Sequence, residues 1–147
     1  MKAVMASIKP RHTANILVGL KSIELRKTGP GSVPFKVYVY ETLDGGKGAG
    51  EVVCEFVCDR YIGPIFDVFG KVKDGICTAA CLTEEEILAY AKGGNVCGWH
   101  ISELEVYNEA IPLWAFNGLR RTKFGTEPYA LKRPPQSWCY VEDLAHE

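Results

Sequence analysis

The chain has 147 residues, 17 basic and 18 acidic side chains, a net charge of −1 and a 47% hydrophobic content. That length suits one domain, the apolar share excludes a disordered chain, and near-neutrality by itself names no charged partner. No apolar run approaches the ~18 residues of a membrane helix, and the apolar stretch ahead of Lys9, Pro10 and Arg11 is too short for a secretory signal, so a cytoplasmic protein without a membrane partner is expected.

In chain order, Val4-Met5-Ala6-Ser7-Ile8 forms a first short strand. Pro10 ends it and opens a helix, where a missing N–H costs little. Over residues 12–18 this helix carries Ala14, Ile16 and Leu17 toward a core, and Gly19 stands where a helix end takes a left-handed residue. Ser22-Ile23-Glu24-Leu25-Arg26 alternates apolar and polar groups, the period of a half-buried strand. Residues 28–34 are a loop by composition. Residues 35–41 are apolar on nearly both faces, which marks a central strand. The glycines and lysine of residues 44–50 invite a phosphate-loop reading, but G-x-x-x-x-G-K-[ST] is absent and a mobile turn is expected.

Residues 52–60 form the next strand, with Cys54 and Cys58 on one face and ~13 Å apart, too far to share a zinc ion. Cys77 and Cys81 could share a helical face, but no nearby His or Cys completes a set. No metal and no cofactor is therefore expected. The six cysteines read as small buried hydrophobes, and a disulfide framework does not suit a reducing compartment.

Gly63-Pro64, Gly70 and Gly75 break any long element between residues 61 and 82. Thr83-Glu84-Glu85-Glu86 is a capping box that starts a helix reaching about Lys92, stopped by Gly93-Gly94. Trp99, Ile101, Leu104 and Val106 alternate with a phase slip near Ser102-Glu103, the mark of a bulge. Residues 114–136 read as a basic loop region (Arg120, Arg121, Lys123, Lys132, Arg133), and residues 137–142 as a closing strand. About six strands and two or three short helices give an α+β protein, a small mixed β-barrel with appended helices, as one domain over residues 1–147.

The densest chemistry lies in Gly19-Leu-Lys-Ser-Ile-Glu-Leu-Arg26, which reads G-x-K-x-x-E-x-R. Lys21 sits at the turn, while Glu24 and Arg26 share a strand face ~7 Å apart. Ammonium, carboxylate and guanidinium can converge there on a phosphate or a base edge, or stage a proton transfer. The alternative is a Glu24–Arg26 surface ion pair beside a solvated lysine, and spacing alone leaves both open. The motif lies in the basic part of the chain. Residues 1–36 hold Lys2, Lys9, Arg11, Lys21, Arg26, Lys27 and Lys36 against Glu24, a net +6, and the rest carries −7. Such asymmetry fits an anionic ligand, and equally a folded surface on which the charges mix.

The G-x-K-x-x-E-x-R stretch resembles the signature of the ASCH domain family. Ser7-Ile8-Lys9-Pro10 ahead of it, Trp99-His100-Ile101-Ser102 later, and the closing Pro134-Pro-Gln-Ser-Trp-Cys-Tyr-Val141, similar to phage and bacterial members, support the likeness. The resemblance implies a PUA-like barrel that binds nucleic acid, with single-stranded RNA or a modified nucleoside favoured, in a cleft between helix and barrel. Gly19, Lys21, Glu24 and Arg26 carry over as site residues, with Lys9 and Arg11 flanking them as phosphate contacts. Trp138 or Tyr140 either stacks an unpaired base or belongs to the core of the last strand. A monomer or weak homodimer is expected.

Activity is the open question. Small family members resemble amidohydrolases acting on acetylcytidine, with a lysine in the motif, a threonine three residues later and a distant glutamate. Lys21 matches, but the threonine position holds Glu24, and Ser22 is a weak substitute. A ribonuclease would draw its acid or base from Lys21, Glu24 or His100. No G-x-S-x-G is present, and Asp67, Asp74 and the acidic run at 84–86 lack metal spacing. A binding module comes first, a hydrolase using Lys21 and Glu24 second, and a protein-interaction adaptor third. Residues 61–82 and 114–136 are where individual specificity is expected to reside.

Overall fold

A computed structural model of the chain describes residues 1–144, so the last three positions of the expected domain lie outside the described residues. The strands are β1 (Lys2–Ile8), β2 (Ile23–Arg26), β3 (Phe35–Glu41), β4 (Glu51–Ile62), β5 (Cys97–Ile111), β6 (Asn117–Thr122), β7 (Gly125–Ala130) and β8 (Trp138–Val141). The helices are α1 (Pro10–Leu17), α2 (Ile76–Ala80) and α3 (Glu84–Ala91). The α+β class is as expected. The strand count is corrected from about six to eight, and the closed barrel to an open sheet.

That sheet runs in the order β2-β5-β4-β3-β1-β8-β6-β7, with β2 and β7 at its edges. It is mixed: β1 pairs parallel with β3, and the other pairings are antiparallel. β3 is central and buried nearly throughout, as its two apolar faces require. β6 and β7 account for the miscount. They form a hairpin inside the segment read as loop. Most of its residues are exposed, so no burial pressure imposes an apolar alternation for the sequence to display.

Three apolar clusters hold the sheet. Val4, Ala6, Ile8, Phe35, Val37, Val39, Phe56 and Trp99 fill one face, with Cys54 and Cys58 among them. Burial pushes the Cys54 thiol up to about 12 and the Cys58 thiol to about 11, so both behave as small apolar groups at neutral pH. Met5, Tyr38, Tyr40, Val52 and Phe116 fill the other face. The third cluster lies outside β2, where Ile65, Ile76, Ala80, Ile87 and Ala91 cover Ile23 and Leu25. Residues 61–82, unreadable in sequence, thus build a small helical cover. β2 is buried along its whole length rather than half-buried, because the cover encloses Ile23 and Leu25 while Glu24 and Arg26, on the other face, are enclosed by Lys21, Ser7 and Ser137.

α1 begins at Pro10, as expected, but its register differs. Thr13 and Ile16 are buried and Ala14 is exposed. Thr13 can face inward because its hydroxyl hydrogen-bonds the Glu41 carboxylate and the Pro10 carbonyl, which satisfies a buried polar group. Gly19 follows the helix at φ +79°, the left-handed conformation that favours glycine. The capping box on α3 is present in both directions: Thr83 accepts from the Glu86 N–H, and Glu86 accepts from the Thr83 N–H. The slip in β5 is a bulge, with Glu103 at φ +47° and the register against β4 shifting there. Among the described residues, no helix is long and apolar enough to cross a membrane.

Candidate functional site

A concavity of about 660 Å³ opens between α1, β2, α3 and the segment leading into β8. That size lies within the range of small-molecule and nucleotide sites. Lys21, Glu24 and Arg26 form its floor, while Lys9, Lys27, Thr28, Tyr90, Gln136 and Ser137 rise around it.

Geometry follows from β2. Its alternation sends Ile23 and Leu25 to the helical cover and Glu24 and Arg26 into the cleft. Glu24 sits between two cations: its Oε2 is 2.8 Å from the Arg26 guanidinium and its Oε1 is 3.5 Å from the Lys21 ammonium. All three side chains are at most 10% exposed. Lys21 also donates to the Ala80 carbonyl at 2.5 Å, which ties α2 to the floor. Arg26 donates to the Ser137 carbonyl and hydroxyl and to the Ser7 carbonyl, at 2.9–3.1 Å. These bonds, with those to Glu24, engage all five guanidinium donors.

Arg26 therefore has an architectural effect. It stands on edge strand β2, four places from β1 in the sheet order, yet it grips β1 and the chain entering β8. Arg26 thereby fastens β2 to β1 and to the chain entering β8, a link that Trp138 of β8 reinforces by donating to the Thr28 hydroxyl. The surface-pair reading of Glu24 and Arg26 is corrected: the pair is buried, and Lys21 is part of it.

The remaining expected site residues separate. Lys9 lines the cleft and is exposed, with no carboxylate partner among the described residues. Arg11 does not line it. Its guanidinium pairs with Glu86 of α3, which does, and so bridges two walls. Gly19 lies outside the cleft and serves the chain reversal that delivers Lys21. Ser22 is absent from the lining; its backbone bonds Ala79 and Ile101 instead. His100 also lies elsewhere, with its Nδ1 2.7 Å from the Asp59 carboxylate. That bond holds the Asp59 carboxyl below the usual carboxylate range. Trp138 and Tyr140 pack edge to face against each other and onto the core, 5.2 Å between ring centroids, and neither lines the cleft.

Several cleft residues were not among the expected site residues, Lys27, Thr28, Gln136 and Ser137 among them, and two others carry chemistry of their own. Tyr90, on α3, is 38% exposed and receives the Lys27 ammonium 5.1 Å from its ring centroid. His12, on α1, lines the cleft with a buried Nδ1 that has no hydrogen-bond partner among the described residues. Burial, then the Lys21 and Arg11 cations, lower its pKa from the usual 6.5, so its imidazole is neutral at pH 7. Neither residue belongs to a motif. The only available signal was position: His12 is one helical turn from Lys9, and Tyr90 lies on the helix that the capping box announces.

The chain shares the fold of ASCH domain proteins. The crystal structure of the ASCH protein from Zymomonas mobilis superposes with a TM-score of 0.59 at 17% identity, covering 96% of this chain and 88% of that one. A tyrosine-to-phenylalanine variant of the same protein gives a TM-score of 0.62 at 16% identity, covering 97% of this chain and 91% of that one. A serine-to-alanine variant gives 0.59 at 16% identity, with 96% and 89% coverage. No family model matches the sequence, and no curated protein matches it.

Proposed function

We propose that the protein is a nucleic-acid-binding module, taking single-stranded RNA or a modified nucleoside in the cleft built by the G-x-K-x-x-E-x-R segment. The observation that carries this reading is the division of labour among the cleft's cations. Lys21 and Arg26 share the Glu24 carboxylate and donate to backbone carbonyls, and they set the shape of the floor. Lys9 and Lys27 stand at the rim without carboxylate partners among the described residues, as phosphate contacts require. Tyr90 offers a ring beside them, and Thr28, Gln136 and Ser137 offer hydrogen-bonding groups for a base edge. The fold likeness to ASCH domain proteins agrees with this reading.

The test is fluorescence anisotropy with a labelled single-stranded oligoribonucleotide in chelator, across a salt series. Lys9→Gln with Lys27→Gln should weaken binding several-fold and flatten the salt dependence by ~0.7 in log–log slope per lost contact. Wild-type affinity in that variant, or no binding of RNA or nucleoside at low salt, would overturn the reading.

One observation favours the second reading, a hydrolase acting on RNA or a modified nucleoside with Lys21 and Glu24 as its charged pair. The neutral imidazole of His12 lies in the same cleft and is a suitable proton acceptor at pH 7. Substrate breakdown in chelator that is lost in both Lys21→Ala and His12→Gln would establish it. Intact substrate after prolonged incubation with binding protein would exclude it.

A further inference from the structure

A second concavity, about 290 Å³, lies at the opposite end of β1 from the cleft. Lys2 of β1, Tyr140 of β8, and Arg120 and Arg121 of β6 wall it. Along β1, Lys2 at this groove and Ser7 at the cleft are ~17 Å apart. The β6–β7 hairpin stands beside the groove and ends in Lys123 and Phe124, the latter 90% exposed with the lysine 5.2 Å from its ring centroid.

The cations here are unevenly committed. Arg120 pairs with Glu127 at 2.9 Å and lies over the Tyr129 ring. Arg121 and Lys2 have no carboxylate partner among the described residues, and the Lys2 ammonium rests 5.7 Å from the Tyr140 ring centroid. A guanidinium and an ammonium in a concave site beside an aromatic face suit an extended phosphodiester chain. The cations take backbone oxygens, and the ring takes a base without selecting it.

We infer that the groove and hairpin form a second contact for a single-stranded nucleic acid that also occupies the cleft, several nucleotides further along the same strand. This rests on the binding function proposed above and assigns its ligand as a polymer rather than a free nucleoside. A continuous chain explains why two basic concavities lie at the two ends of β1. An acidic protein segment would match the charge but leave the exposed Phe124 ring without a planar partner.

The test compares a labelled oligouridylate of about ten nucleotides, long enough for a single-strand site, with uridine monophosphate on the full chain. Lys2→Gln with Arg121→Gln should weaken the oligomer about tenfold at low salt and leave the mononucleotide within about twofold. In the wild-type protein, the oligomer's log–log salt slope should exceed that of a dinucleotide by ~1.4, for two extra contacts. Unchanged oligomer affinity with equal slopes would overturn the inference, as would displacement of the oligomer by polyaspartate and not by unlabelled RNA or DNA. The cleft variant Lys9→Gln with Lys27→Gln separates the two readings. If it keeps the oligomer while the groove variant loses it, the cleft reading fails and the groove stands.

Discussion

Glu24→Gln isolates the electrostatics of the cleft floor, because it keeps the side chain's shape and removes its charge. In the wild-type protein one carboxylate serves two cations, at 2.8 and 3.5 Å, with side-chain exposures of 10% for Glu24, 9% for Arg26 and 1% for Lys21. Each attraction is ~5–6 kcal/mol gross at an effective dielectric of about 20, largely offset by the desolvation of the three groups. Removing the shared partner leaves two buried cations facing each other, and breaking such a pair costs about 3–5 kcal/mol. We expect a loss of about 3 kcal/mol, seen as a fall of about 6–12 °C in Tm for a domain of this size. Lys21→Met should cost less, about 1–3 kcal/mol, because it strands the Ala80 carbonyl but leaves Glu24 and Arg26 matched. Urea unfolding of both variants measures the order. A Glu24→Gln loss below about 1 kcal/mol, or one smaller than that of Lys21→Met, would mean the network behaves like a solvated surface pair and would refute the reasoning.

Three further outcomes are expected. Thr83→Ala removes the acceptor for the Glu86 N–H and should lower Tm by about 2–4 °C, for ~1 kcal/mol; calorimetry checks it. His12→Gln should change the pH dependence of stability. The folded pKa of His12 lies below 6.5, so the unfolded chain binds more protons as pH falls below that value, and the wild-type protein loses stability in that window. The variant's unfolding free energy should fall less between about pH 7 and pH 5; an unchanged slope would count against a buried neutral imidazole. Gly98→Ala would set a Cβ 2.6 Å from the Ile23 side chain and 3.1 Å from Ile62, pushing β2 off β5. A loss of about 1–3 kcal/mol, with weakened RNA binding in the anisotropy assay, is the expected result.

Legibility followed burial. β3 announced itself as central because both of its faces meet apolar neighbours, and the alternation in β2 correctly sent Glu24 and Arg26 to one side. The capping box of α3 and the bulge at Glu103 were readable because each is a local rule with its own spacing. The β6–β7 hairpin stayed hidden because nothing apolar needs to alternate on a strand pair that is mostly exposed. Ala14 and Thr13 exchanged places because a hydroxyl that finds a carboxylate across the chain can be buried more readily than its polarity suggests.

The amino-acid sequence by itself determined the local elements, the neutral whole with its basic first quarter, and the grouping of Lys21, Glu24 and Arg26, since these depend on spacings of a few residues. Tertiary structure decided what that group does. The Ala80, Ser7 and Ser137 acceptors come from 59, 19 and 111 residues away, distances at which no periodicity signals a contact. Those acceptors turn a trio that spacing left open between a ligand grip and a surface pair into a buried fastening of β2 to β1 and to the chain entering β8. They also leave Lys9 and Lys27 as rim cations without a carboxylate among the described residues.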